Sequence, residues 1–152
     1  MRNIPVVLLA IVLLIAPLSC TKQISDDAIV AISSDELYTL IQESSRHPDR
    51  LVLIDPRSTR AYREAHLPGA LHLTIPAVQP NDPRDPRIED RKNIIVYGND
   101  PADPAARGMS KRLLSAGYKG VRMFMQGLKE WRRLGYPIDH AEQPASTPSG
   151  SR

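Results

Sequence analysis

The chain has 152 residues, 41% of them hydrophobic and 24% charged, a length and balance suited to one globular domain around one core. Its net charge of +3, from 20 basic against 17 acidic residues, is weak and dispersed, and one Phe and one Trp offer little surface for stacking, which argues against nucleic acid as a partner. The single Cys, Cys20, excludes an internal disulfide, so packing alone must hold the fold.

Residues 1–19 start with Arg2 and an apolar run from Ile4 to Ile15 broken only by Pro5, followed by Ala16, Pro17, Leu18, Ser19 and then Cys20. The run is shorter than the roughly 20 residues that cross a bilayer as a helix, and it suits the apolar part of a signal peptide. A small residue directly before a Cys at this place resembles the lipobox of bacterial lipoproteins, with Pro17 where that pattern carries Leu or another aliphatic residue. The resemblance implies that Cys20 is lipidated and tethers the protein to a lipid bilayer through an N-terminal acyl anchor. Thr21 in place of Asp after the Cys implies, by the same analogy, the outer membrane facing the periplasm rather than the inner membrane. Ordinary leader cleavage and an uncleaved anchor are the other readings of this layout. If Cys20 is lipidated or lost with the leader, the folded domain contains no thiol.

Residues 20–28 read as a polar tether, and Ile29 to Ile32 as a brief first strand. Ser33 then opens a helix, with Glu36 at capping-box spacing and Leu37, Leu40 and Ile41 on one face, ending near Ser44 to Pro48. Leu51 to Ile54 is a continuous apolar run, as expected of a strand buried on both faces of a parallel sheet, and Asp55, Pro56 and Arg57 stand at its C-terminal end. Ser58 caps a short helix to Ala65 with Tyr62 facing inward, and His66 to Ala70 turn into a third strand, Leu71 to Thr74. Pro76 to Asp90, with four prolines and mixed charges, reads as a solvated loop.

A fourth strand, Ile94 to Tyr97, leads into a loop from Gly98 to Asp103 and a helix from about Pro104, whose missing N–H costs nothing in a first turn. Met109, Leu113, Leu114 and Ala116 are its apolar face, and Gly117 is placed to stop it. Val121 to Phe124 gives a fifth strand, Gly127 a turn, and Leu128 to Leu134 a last helix carrying Trp131. Residues 139–152 lose apolar periodicity and read as a disordered tail. Strands alternating with helices predict an α/β fold with a mostly parallel five-stranded sheet flanked by helices in three layers, and ligands beyond the C-terminal strand ends.

Several motifs in order resemble the rhodanese-homology domain over about residues 29–138: Leu53-Ile54-Asp55-Pro56-Arg57, His66-Leu67-Pro68-Gly69-Ala70, Ile95-Val96-Tyr97, Leu113-Leu114-Ser115-Ala116-Gly117-Tyr118, and Gly127-Leu128-Lys129-Glu130-Trp131 with Gly135-Tyr136-Pro137. The resemblance implies a sulfur-transfer site at the loop after the fourth strand, where active members carry a Cys that holds sulfur as a persulfide. Gly98 occupies that position and cannot hold one. The loop also carries Asp100 and Asp103, whose charge opposes an anion, and Pro101 and Pro104, which donate no N–H.

The candidate ligand loop is therefore Gly98, Asn99, Asp100, Ala102 and Asp103 with Arg107, and no residue is assigned as catalytic. Asp103 is expected to cap the following helix and Asp100 to be a turn residue. Asp55, Arg57 and His66 are read as rim or structural residues, with ion pairing and backbone hydrogen bonds preferred over chemistry. No ligand spacing around His66 supports a metal, no Ser has a partner base, and no cofactor is expected. Three functions remain. One is a silent rhodanese-like module that binds an envelope protein or small ligand at the old rim. Another is a sulfurtransferase whose thiol comes from Cys20 or a partner, and the last is an envelope scaffold without a ligand.

Overall fold

The computed structural model describes residues 24–141. Residues 1–23, with the expected signal peptide and Cys20, and residues 142–152 of the expected tail lie outside the described residues. The elements are β1 (Val30–Ala31), α1 (Ser34–Ser44), β2 (Leu51–Asp55), α2 (Thr59–Glu64), β3 (Leu71–His72), β4 (Asn93–Tyr97), α3 (Pro104–Ser115), β5 (Val121–Phe124) and α4 (Gly127–Arg133). All strand pairs are parallel, in the order β1-β5-β4-β2-β3.

Strand β4 is central because it can be buried on both faces, and Ile94, Ile95, Val96 and Tyr97 are each 0% exposed. Alternation along it divides the core. Ile94 and Val96 pack with Ile54, Met123 and the α3 residues Ala106, Met109 and Leu113. Ile95 and Tyr97 pack on the opposite face with Leu53, Phe124, Leu37 of α1, and Leu128 and Trp131 of α4. Burying each such side chain contributes about 1.5–3 kcal/mol, so the two-sided core is the main source of stability. Trp131 is fixed further by its indole N–H, which donates to the Pro137 carbonyl at 2.7 Å, and by an edge contact with Phe124.

Local signals act where they were expected. The Ser33 and Ser58 hydroxyls accept from the Glu36 and Ala61 N–H groups, capping α1 and α2. At the end of α3 the Gly117 N–H donates to Leu114 and the Tyr118 N–H to Leu113, a Schellman closure that needs the positive φ of 81° at Gly117.

Four expectations need correction. The Glu36 side chain does not close a capping box; it pairs with Arg122, because β5 brings that guanidinium across the start of α1. The proline-rich 76–90 stretch is not simply solvated. Val78 and Ile88 are buried against the α3 face of the sheet, and the Asp85 N–H donates to the Tyr118 hydroxyl at 2.8 Å. The tether is anchored at its end, since Asp26–Ala28 form a 3-10 turn and Asp26 pairs with Lys111 at 2.6 Å and Arg107 at 3.5 Å. The domain also runs past residue 138. Asp139 exchanges two backbone hydrogen bonds of 2.9 Å with His66, and its carboxylate accepts from the Gly69 N–H.

Candidate functional site

Sheet order sets the site. β3 lies on one side of β2 and β4 on the other, so the connections leaving β2 and β4 diverge and open a crevice beyond their C-terminal ends. A cleft of ≈ 330 Å³ lies there, lined by Arg57, Ser58, Ala61 and Glu64 from the β2 side, Asn99, Asp103 and Ala105 from the β4 side, and Leu128 and Arg132 of α4. Larger hollows among the described residues, of ≈ 480 Å³ beside Arg84 and Tyr118 and of ≈ 610 Å³ between Pro101 and Arg133, lie away from the crevice between the β2 and β4 connections.

One wall of the cleft is a buried ion pair. Asp55 is 0% exposed and accepts from the Arg57 guanidinium through Nε at 2.9 Å and Nη2 at 2.6 Å, and from the Arg57 backbone N–H at 3.0 Å. Arg57 Nη2 also donates to the Ala65 carbonyl at 2.7 Å, tying the end of α2 to the end of β2. Beneath it, the Tyr97 hydroxyl accepts from the Leu67 N–H at 3.0 Å. Burial, reinforced by the Asp55 charge, pushes the Tyr97 phenol far above its ordinary range, so it stays protonated.

The other wall is the Gly98–Asp103 loop, and the N–H groups of Asn99, Ala102 and Asp103 are occupied from within. Asp103 Oδ2 accepts from the Asn99 N–H at 2.8 Å and Oδ1 from the Ala105 N–H at 2.9 Å, so the helix cap reaches back to the loop entrance. Asp100 accepts from the Ala102 N–H at 3.0 Å. A side chain at residue 98 would have no room, since a Cβ there would stand 2.7 Å from Cβ, Cγ and Oδ2 of Asp103. The loop is held from behind by α4, whose Leu128 and Lys129 N–H groups donate to the Gly98 and Asn99 carbonyls, both at 2.9 Å. Gly127 makes that approach possible, with φ of 69° and a hypothetical Cβ 2.6 Å from the Asn99 carbonyl carbon.

Of the residues singled out in the sequence, the structure brings Gly98, Asn99, Asp103 and Arg57 together, with Asp55 supporting Arg57. Asp100 and Ala102 face the adjacent groove, shared with Pro101 and Lys129. Arg107 does not line the cleft; it donates to the Pro101 carbonyl of the loop and pairs with Asp26 at 3.5 Å. His66 stands outside the cleft, with Nδ1 2.8 Å from the Tyr62 carbonyl and its ring stacked on Tyr62 at 4.0 Å. Sequence reasoning missed Glu64, Leu128 and Arg132 as lining residues, and His72, whose Nε2 lies 2.8 Å from the Arg57 carbonyl. These come from separate segments with no shared motif, so only the fold reveals them. Among the described residues no group of three His, Cys, Asp or Glu could hold a metal.

A parallel α/β domain with a strand–loop–helix cradle at the switch point of its sheet is the class defined by this geometry. The family model for the rhodanese-like domain matches residues 33–134, and the chain belongs to that family. Solved structures agree on the fold. A Rhodopseudomonas palustris protein of unknown function, described as a possible tyrosine phosphatase, is 22% identical with a TM-score of 0.61, over 75% of this chain and 87% of its own. The BH2092 protein of Bacillus halodurans is 19% identical with a TM-score of 0.57, over 68% and 74%. The rhodanese-like domain of an Anabaena protein is 22% identical with a TM-score of 0.52, over 75% and 83%.

Proposed function

We propose that this chain is a catalytically silent rhodanese-like module, tethered to a bacterial membrane through lipidated Cys20 and facing the periplasm, that binds a partner protein or small ligand at the former active-site rim. The observation that carries it is Gly98 at the nucleophile position of an otherwise intact frame. Sulfur transfer through a persulfide requires a thiolate at that junction, and so does tyrosine phosphatase chemistry of the Cys-dependent kind. The only thiol in the sequence, Cys20, precedes the domain. The cleft beside the loop supports recognition as the retained role, because its lining sets Arg57, Arg132, Glu64 and Asp103 beside Ala61, Ala105 and Leu128 and holds no thiol.

The test is thiosulfate:cyanide sulfurtransfer by the purified mature protein, with a Cys20→Ser variant alongside. The expected result is no turnover above solution background in either. Turnover by both refutes the silent reading, and turnover lost with Cys20→Ser supports the alternative in which that thiol serves the loop. Recognition at the rim predicts slowed amide exchange over residues 98–107 when periplasmic extract is added, which a scaffold without ligand does not.

A further inference from the structure

We propose that Asp103 is a built-in plug, its carboxylate held over Gly98 in the seat where this loop would otherwise receive an external anion. The inference rests on the silent reading of the site and deepens it, because it makes the loss of chemistry a property of two residues and not of Gly98 alone. Three observations point the same way. The space above Gly98 is taken, with Cβ, Cγ and Oδ2 of Asp103 all 2.7 Å from where a Cβ would be. The donors are taken, because the two carboxylate oxygens engage the N–H groups of Asn99 at 2.8 Å and Ala105 at 2.9 Å, one at each end of the loop. Replacement donors are reduced, because Pro101 and Pro104 carry no N–H, the Ala102 N–H is held by the Asp100 carboxylate and the Asp103 N–H by the Asp100 carbonyl.

An oxyanion approaching this loop therefore meets a fixed negative charge, with the Asn99 and Ala105 N–H groups already engaged, so the closed loop opposes anions by charge and by volume. A partner acting at the rim meets a finished surface formed by Asn99, Asp103 and the cleft wall. Asp103 also caps α3, so the plug is stabilised by the helix it begins, and it does not swing out without loss of that cap.

The experiment uses the mature chain labelled with nitrogen-15 and titrated with sodium thiosulfate, against sodium chloride at matched ionic strength. Wild type, Asp103→Ala and Asp103→Ser are compared, Ser retaining a capping hydroxyl if Ala frays the helix. The wild type is expected to show no saturable change at the Asn99 and Ala105 amides, and Asp103→Ser to gain a saturable shift at Asn99, whose N–H loses its carboxylate partner. Saturable wild-type shifts at these amides, or a folded Asp103→Ser protein with none, overturn the plug. Both outcomes are separate from sulfurtransferase turnover, which alone decides the silent reading.

Discussion

Replacing Gly98 with Ala adds one methyl group at the point of tightest contact in the site. Gly98 is not among the glycines with positive φ, so Ala fits the backbone and would by itself stabilise by about 0.4–1 kcal/mol through the unfolded chain. The 2.7 Å approach to Asp103 Cβ and Cγ opposes this, since those atoms are not the free end of a flexible side chain. Overpacking of this kind costs about 1–3 kcal/mol. If Asp103 rotates away instead, the loss of the α3 cap costs about 1 kcal/mol and the Asn99 N–H loses its partner. The net expectation is a destabilisation of about 1–2 kcal/mol, which lowers a urea midpoint by roughly 0.5–1 M at typical slopes. Trp131 is the only tryptophan and is fully buried, so its fluorescence reports the transition. In an Asp103→Gly background, which removes Cβ, Cγ and Oδ2 together, the same Gly98→Ala change should cost nothing measurable, giving a coupling of about 1–2 kcal/mol. Equal losses in both backgrounds, or a wild-type midpoint for Gly98→Ala, would refute the contact as the cause.

Arg57→Met leaves the Asp55 carboxylate buried without its cation and should destabilise by about 3–5 kcal/mol, whereas a double Asp55→Leu, Arg57→Met variant should recover much of the loss. Urea midpoints of the two decide it, and equal losses contradict a charge-pair origin. Alkaline stability follows Tyr97. Its phenol is raised by burial first and by Asp55 second, so its contribution is complete below the unfolded value of 10.0 and fades as pH rises above it. Stability measured from about pH 9 to about pH 11 should therefore fall, with a shallower fall in Tyr97→Phe, which also leaves the Leu67 N–H unpaired at about 1–3 kcal/mol. Asp26 acts at the other end of the scale. The hydrogen bond from Lys111 holds its carboxyl below the usual 3.8, so the N-terminal turn stays attached above that value and detaches as pH falls through the depressed one. Amide shifts of Ala28 and Ile29 should report this transition, moved upward in Lys111→Gln; a wild-type transition at 3.8 contradicts the clasp.

The parts legible in the sequence are those governed by interactions within one or two turns of chain. The apolar runs Leu51 to Ile54 and Ile94 to Tyr97 become the doubly covered strands β2 and β4, because a strand with no polar alternation has no face to give to water. Ser33, Ser58, Pro104 and Gly117 mark helix ends because capping is a local hydrogen-bond problem. That Gly98 follows β4 directly, at the entrance to the loop, was legible in the sequence as well.

Tertiary structure decided what distant segments do to one another. Asp103 was expected as a helix cap and as a charge in the candidate ligand loop, and its close contact over Gly98 depends on the path of the loop, which α4 fixes from behind through the Gly98 and Asn99 carbonyls. Arg57 was expected at a rim, and its grip on Ala65 exists because α2 folds back toward the end of β2. Asp26 seemed part of a free tether until α3 placed Lys111 beside it, and Ile88 seemed part of a solvated loop until the sheet offered it a dry face. Sequence patterns report a residue's preference for burial or for a cap. Which residue fills a given space is settled by chain crossovers that bring remote segments within a few ångströms, and the closed loop over Gly98 belongs to that second kind of information.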